Sequence, residues 1–236
     1  HLRAHGIDGT VLVQAAPTIG ETEFLLDIAE KTPFVMGVVG WVDFAAASAA
    51  TDIARLAVHP KLVGLRPMIQ DIADDDWMLR PDLAPAFDAM VTYNLTFDAL
   101  VLPRHLPRLR QLLMRHSDLR TVIDHGAKPD IKGRQFDTWA DEMAMLANDH
   151  AVYCKLSGLL TEADKDWQPA DIAPYAAHLF AHFGADRLVW GSDWPVLTLA
   201  ASYRAWLELA AAFMPDQTAK DAVFGGNARD LYRLAD

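Results

Sequence analysis

Short apolar runs recur along this 236-residue chain with helix-like segments between them, and this alternation is the feature that most constrains its fold. The runs start roughly 25 to 36 residues apart, close to the length of one strand–helix unit. They are continuously apolar, which is typical of strands buried on both faces of a parallel sheet. The pattern predicts an α/β fold and leaves open a doubly wound sheet or a (β/α)8 barrel.

The predicted elements follow one another without a linker or low-complexity stretch, so we predict one domain over residues 1–236. No glycine-rich fingerprint follows the first predicted strand, which argues against a dinucleotide-binding sheet. We predict strands at 9–16, 34–43, 61–68, 94–101, 119–126, 151–159 and 186–195, and helices at 21–31, 48–58, 83–91, 106–116, 136–148, 172–183, 203–213, 217–223 and 226–234.

The first residues of the chain have the pattern of a helix end. His1, Leu2 and His5 have helical spacing, and Gly6 is a residue type that commonly follows the last helical turn. Seven predicted strands plus one ahead of His1 would make eight. This count suits a (β/α)8 barrel of the TIM type that lacks its N-terminal strand in this chain, and a doubly wound sheet stays open.

Charge and composition exclude several kinds of partner. The formal net charge is −11, which argues against a nucleic-acid or anionic-membrane surface, because both need a lysine and arginine footprint. No apolar run is long enough for a membrane span. The single cysteine, Cys154, cannot form an intrachain disulfide and fits a reducing, cytoplasmic location. A small-molecule substrate remains, and the chain can be monomeric or a homo-oligomer.

Two titratable residues at predicted strand ends are the candidate catalytic groups. In a barrel, reacting groups lie where strands end at the C-terminal face. Asp193 follows the seventh predicted strand, and the alternative is a helix N-cap. His125 follows the fifth, and the alternative is a hydrogen-bonded core histidine. Several charges at one face are costly to bury unless they pair or line a wet cleft, which favours a pocket.

Four further side chains are candidate substrate contacts: Arg66, Asp98, Lys155 and Trp194. The alternatives are structural, because Arg66 can pair with an acid such as Asp98, and Lys155 can form a salt bridge. Asp124 more plausibly supports the site than reacts in it.

Two residues that could be nucleophiles have an unsuitable context. Cys154 alternates with Lys155 along the sixth predicted strand, so it should point away from a pocket. Ser157 lacks the G-x-S-x-G setting of a serine hydrolase.

Three motifs, "DHGAKP" at 124–129, "YCKLSGL" at 153–159 and "WGSDWPV" at 190–196, occur in this order. With "VGLRPM" and "LTFDALVLPRHLP", they make the chain resemble the amidohydrolase-2 family of the amidohydrolase superfamily, within it the L-fuconolactonase and L-rhamnono-lactonase group. The resemblance implies a distorted (β/α)8 barrel that hydrolyses a lactone. It implies that Asp193 activates water and that His125 corresponds to the family's histidine after barrel strand six. It also implies that Lys155 and Arg66 lie near the substrate.

The resemblance leaves the metal open. The family begins with a strand that carries His-x-His, and this sequence has no such motif. A catalytic zinc needs about three protein ligands, and His125 and Asp193 are only two. The sequence therefore assigns no cofactor. The alternative is one divalent metal, with zinc as the first choice, held by His125, Asp193 and ligands from a missing N-terminal segment.

The functional hypothesis is a hydrolase that opens a sugar-acid lactone with water activated by Asp193. His125, Arg66 or Lys155 would stabilise the developing oxyanion. One alternative is a metal-dependent decarboxylase or hydratase of a small aromatic or keto acid on the same fold. Another is a non-catalytic binding protein on a barrel scaffold. A third is a fragment that does not fold alone, because an open barrel exposes strand edges.

Overall fold

The computed structural model describes residues 1–235, which cluster into two compact units. Unit 1 comprises the described residues of His1–Leu100, Arg108–Val122 and Arg229–Asp236. Unit 2 comprises Val101–Pro107 and Ile123–Ala228. One domain over the whole chain stays a prediction.

Every predicted strand and helix has a counterpart in the structure, and the strands are shorter than the apolar runs because the ends of the runs continue into loops. The strands are β1 (Thr10–Val13), β2 (Val35–Gly40), β3 (Leu62–Leu65), β4 (Thr96–Ala99), β5 (Thr121–Ile123), β6 (Tyr153–Leu156) and β7 (Leu188–Trp190). The helices are α1 (Leu2–His5), α2 (Ile19–Lys31), α3 (Ala49–Leu56), α4 (Ala84–Thr92), α5 (Leu106–Arg115), α6 (Asp137–Asp149), α7 (Pro169–Phe183), α8 (Tyr203–Ala212), α9 (Gln217–Asp221) and α10 (Asn227–Tyr232).

In unit 1, strands β1 to β4 pair in parallel and in chain order. Helix α2 packs close to the end of β2, where Gly40 leaves no room for a side chain: a Cβ there would lie 2.4 Å from a methyl group of Thr22. The Thr22 hydroxyl donates to the Trp41 carbonyl at 2.9 Å and accepts from the Trp41 N–H at 2.8 Å. A helix side chain therefore continues the hydrogen bonding of the strand where the ladder stops.

In unit 2, β6 pairs with β7 in parallel, with Lys155 opposite Val189. Two side chains from later helices hold the ends of β7. The Asn227 amide donates to the Leu188 carbonyl at 2.6 Å, and the Trp206 indole donates to the Gly191 carbonyl at 2.8 Å. Strand β7 is thereby tied at both ends, which positions the loop that follows it.

Parallel strands that alternate with helices confirm the predicted α/β class. Among the described helices, none is both long and apolar enough to cross a bilayer. Helix α1 ends at His5 and is followed by Gly6, which adopts a left-handed conformation with φ of 66°, as its sequence context predicts.

An aromatic cluster packs α6 against α7 in unit 2. Trp139 lies 5.2 Å from both Tyr175 and His178, measured between ring centroids. Burial lowers the pKa of His178 below its ordinary value of 6.5, and nearby His182 acts in the same direction, while Asp141 and a hydrogen bond to a backbone carbonyl oppose the shift. The imidazole is therefore more easily protonated in the unfolded chain than in the folded one.

We predict that His178 makes stability depend on pH. Its neutral form is favoured in the folded state, so its contribution is complete above a pH of about 6.5 and is lost as the pH falls towards the lowered pKa. Urea unfolding at pH 8, 7, 6 and 5 should show the free energy of unfolding falling more steeply for the wild type than for His178→Gln. Parallel slopes for the two proteins would contradict the prediction.

Candidate active site

Three strand ends of unit 2 carry polar side chains that approach one another. Asp124 and His125 follow β5, Lys155 lies in β6 with Ser157 just after it, and Asp193 comes three residues after β7. These include both predicted catalytic residues, which the structure brings together.

The chain that follows β5 forms a left-handed turn. His125, Gly126, Ala127 and Lys128 all have positive φ values, of 53°, 57°, 60° and 52°. For residues other than glycine this conformation costs roughly 1–2 kcal/mol each. The turn is held by the indole of Trp139, which donates to the Gly126 carbonyl at 2.7 Å, and by the Lys128 N–H, which bonds the His125 carbonyl at 2.9 Å. Backbone strain of this kind concentrates at functional sites.

Each ring nitrogen of His125 faces a defined partner. Nδ1 lies 2.8 Å from the hydroxyl oxygen of Ser157, and Nε2 lies 3.7 Å from Oδ1 of Asp193. The side chains of His125 and Asp193 are 13% and 17% exposed, so the pair is largely enclosed and still reached by solvent. Asp193 also has a positive φ, of 52°, so both residues of the pair have a left-handed backbone conformation.

Two glycines leave room for this arrangement. Gly158 has a φ of 67°, and a Cβ there would lie 2.7–2.9 Å from Cβ, Cγ and Nδ1 of His125. A Cβ on Gly191 would lie 3.1 Å from Cβ of Ser157. Sequence reasoning missed both glycines as site residues. The only signal was that each falls inside one of the three motifs.

Lys155 and Asp124 form a buried ion pair, with 2.6 Å between Nζ and Oδ1. Lys155 is 8% exposed and Asp124 is fully buried. The salt bridge that was one alternative for Lys155 is therefore present, and its partner is Asp124. A substrate contact by Lys155 stays a prediction.

Arg66 and Asp98 belong to unit 1 and have structural contacts there. The Arg66 guanidinium donates to the backbone carbonyl of Gln14, and the Gln14 amide donates to the Arg66 carbonyl at 2.9 Å. Fully buried Asp98 accepts a hydrogen bond from the hydroxyl of Tyr232 at 2.7 Å. Nothing local in the sequence indicates the Tyr232 contact. The substrate roles of Arg66 and Asp98 stay predictions.

Two other residues of unit 2, Trp194 and Cys154, differ in exposure. Trp194 is 53% exposed, and its substrate role stays a prediction. Cys154 is fully buried, and this burial raises the pKa of its thiol far above the ordinary value. A buried thiol of this kind is a poor nucleophile.

His125 and Asp193 are the residues that could contribute to a metal site. Within residues 1–235, no group of three or more histidine, cysteine, aspartate or glutamate side chains is arranged to hold a metal ion. A catalytic zinc needs about three protein ligands. The described residues therefore do not form such a site by themselves.

Comparisons with known proteins identify relatives over nearly the whole chain. A protein named L-fucono-1,5-lactonase from Burkholderia ambifaria is 48% identical over 241 residues, which cover 99% of this chain and 82% of that protein. A second L-fucono-1,5-lactonase, from Burkholderia multivorans, is 33% identical over 255 residues, which cover 99% of this chain and 83% of that protein.

A solved structure matches the fold. The crystal structure of an amidohydrolase from Burkholderia multivorans with bound zinc has a TM-score of 0.92 and 33% identity, covering 99% of this chain and 86% of the crystallised one. This likeness confirms the predicted (β/α)8 barrel-type fold class. The profile of the family described as Amidohydrolase (Amidohydro_2) matches residues 1–234. The chain therefore belongs to the amidohydrolase family.

Proposed function

We propose that this chain hydrolyses sugar-acid lactones, with Asp193 as the general base. The observation that carries the proposal is the partly exposed pair of His125 and Asp193, with Nε2 and Oδ1 3.7 Å apart. These two atoms are close enough for one water molecule to bond to both, at about 2.8 Å from each. A carboxylate that shares a water with an imidazole can orient the water and take its proton.

The reaction begins when the oxygen of the water attacks the lactone carbonyl carbon while Asp193 accepts the proton. The carbonyl oxygen then carries negative charge. When the carbonyl re-forms, the bond between it and the ring oxygen breaks, and the ring oxygen leaves as a hydroxyl with the proton held by Asp193. The product is a hydroxy acid, which releases a proton to solvent at neutral pH.

Lys155 is the group that we assign to the developing oxyanion. Its ammonium has three donors, and one is directed to Asp124 at 2.6 Å. Asp124 holds the ammonium in place before the reaction begins, so little reorganisation is needed as charge develops. Positive charge in a nearly dry site stabilises an oxyanion more strongly than it would in water.

The two L-fucono-1,5-lactonases support a 1,5-lactone of a deoxy sugar acid as the substrate. Their identity to this chain favours lactone opening over the decarboxylase or hydratase alternative. The same identity to two enzymes favours an enzyme over a non-catalytic binding protein. A cytoplasmic location and the absence of nucleic-acid and membrane partners stay predictions.

The zinc in the related crystal structure supports a metal ion as an additional component of this site. His125 and Asp193 would be its ligands in this chain, and a zinc ion would act as a Lewis acid on the carbonyl. The described residues supply two of the roughly three protein ligands that such an ion needs.

We predict that Asp193→Asn lowers kcat for lactone hydrolysis by about 10²–10⁴-fold, since the amide cannot take a proton. Proton release from a panel of sugar-acid γ- and δ-lactones measures the rate, with and without a chelator. The exposed Asp166→Asn is the matched control and should retain full activity.

Three outcomes of this assay carry different conclusions. Full activity in Asp193→Asn would remove Asp193 from the mechanism. A folded wild type that opens no lactone would overturn the proposed function. Loss of activity on chelation, restored by zinc, would show that a metal takes part.

We predict that Gly158→Ala lowers kcat by about 100-fold, because the new methyl displaces the His125 ring from Asp193. Gly6→Ala is the matched control, since Gly6 has nearly the same φ of 66° and no atom within 4 Å of its would-be Cβ. Both variants carry the left-handed strain, but only Gly158→Ala carries the clash. Equal activity in the two variants would show that the space that Gly158 leaves beside His125 does not affect kcat.

We predict that Lys155→Met destabilises the protein by about 3–5 kcal/mol, because it removes a partner from the buried carboxylate of Asp124. The double variant Lys155→Met/Asp124→Asn should lose less than the sum of the two single variants. Urea unfolding measures all four proteins. Additive losses would show that the two side chains are not coupled.

A further inference from the structure

We propose that Ser157 is a positioning residue for the reaction, and that its hydroxyl holds His125 Nδ1 so that Nε2 stays directed at Asp193. The proposal rests on the proposed lactone hydrolysis, in which His125 and Asp193 share the water.

The first support is the contact itself. The Ser157 hydroxyl oxygen lies 2.8 Å from Nδ1, a normal hydrogen-bond length, and Ser157 is 1% exposed. Water therefore hardly competes for this bond. An imidazole held at one nitrogen has a defined direction for the other nitrogen, which here lies 3.7 Å from Asp193 Oδ1.

The second support is the rigidity of the residues around the hydroxyl. Ser157 directly follows β6, and the ladder between β6 and β7 continues to this point, because the Gly191 N–H donates to the Leu156 carbonyl at 3.2 Å. Gly191 packs so closely on Ser157 that a Cβ would lie 3.2 Å from the hydroxyl oxygen. Asp193 lies two residues after Gly191. The same ladder thus sets the positions of the serine and of the carboxylate that His125 joins.

The third support is chemical. A hydroxyl both donates and accepts, so Ser157 can donate to an unprotonated Nδ1 or accept from a protonated one. The bond is kept in either tautomer of His125. A partner of this type holds the ring while Nε2 bonds to water either as donor or as acceptor, which a carbonyl or an ammonium could not do.

A nucleophilic role for Ser157 fits the geometry less well. The hydroxyl is almost fully buried, and a nucleophile must reach the carbonyl carbon of the substrate. The partly exposed end of the Ser157–His125–Asp193 series is the carboxylate, which suits a base that acts on water.

The test compares four variants in the full chain: Ser157→Ala, Ser157→Thr, Ser157→Val and His125→Gln. Threonine and valine have nearly the same shape, so their comparison isolates the hydroxyl from the space that it fills. Ser202→Ala is the control for a general loss of stability, because the Ser202 hydroxyl oxygen caps α8 by accepting from the Ala205 N–H at 3.1 Å, a bond that involves none of His125, Ser157 and Asp193. Melting temperatures establish that each variant is folded.

Two measurements are made on each protein. The first is kcat and KM on the lactone that the wild type opens fastest. We expect kcat to fall by about 100-fold in Ser157→Ala and Ser157→Val, with KM within about threefold of the wild type, and Ser157→Thr to retain most of the rate. The second is the NMR spectrum of the histidine ring protons, with the His125 resonances identified by their absence in His125→Gln. We expect these resonances to shift or broaden in the alanine and valine variants only.

Each outcome decides the proposal. Unchanged kcat and unchanged His125 resonances in Ser157→Ala, or equal behaviour of the threonine and valine variants, would overturn it. A loss in Ser157→Ala larger than that in His125→Gln would overturn it in favour of a nucleophilic serine. If the wild type opens no lactone, the proposed function fails, and the resonances still report whether Ser157 positions the ring.

Discussion

The buried ion pair between Asp124 and Lys155 determines how the ends of β5 and β6 are arranged in unit 2. Both groups are almost inaccessible to water, so the charges are tolerable only while they remain together. His125 is the residue after Asp124, and Ser157 lies two residues after Lys155. The ion pair holds the chain after β5 beside the end of β6. It therefore also holds His125 and Ser157 at the distance at which they form their hydrogen bond.

The site depends as much on backbone conformation as on side chains. Four consecutive left-handed residues turn the chain after β5, and Gly158 and Asp193 have the same rare conformation after β6 and β7. Such turns cost free energy and persist only where packing compensates, as the Trp139 indole does by bonding Gly126. Gly158 and Gly191 add the space that His125 and Ser157 occupy. The precise direction of one imidazole thus follows from several residues without reactive groups.

Polar residues at strand ends in this molecule serve both structure and chemistry. In unit 1, Arg66 joins the ends of β1 and β3 through Gln14, and Asp98 bonds Tyr232. In unit 2, His125 and Asp193 stay partly open to solvent. The partners of each side chain separate the two kinds of residue, whereas their positions in the sequence are equivalent. The chemistry that we propose therefore centres on the partly exposed pair of His125 and Asp193.

The sequence by itself determined the α/β class, the order of the elements and the strand ends that carry His125, Lys155 and Asp193, because apolar periodicity is a local property of the chain. It also indicated the family, through three short motifs. Only the tertiary structure decided which side chains bond to one another. Ser157 contacts His125, Asp124 pairs with Lys155, and Tyr232 donates to Asp98, which lies 134 positions away in the sequence. Hydrogen bonds and buried ion pairs depend on distances of a few ångströms between segments far apart in the chain, and no local pattern encodes those distances.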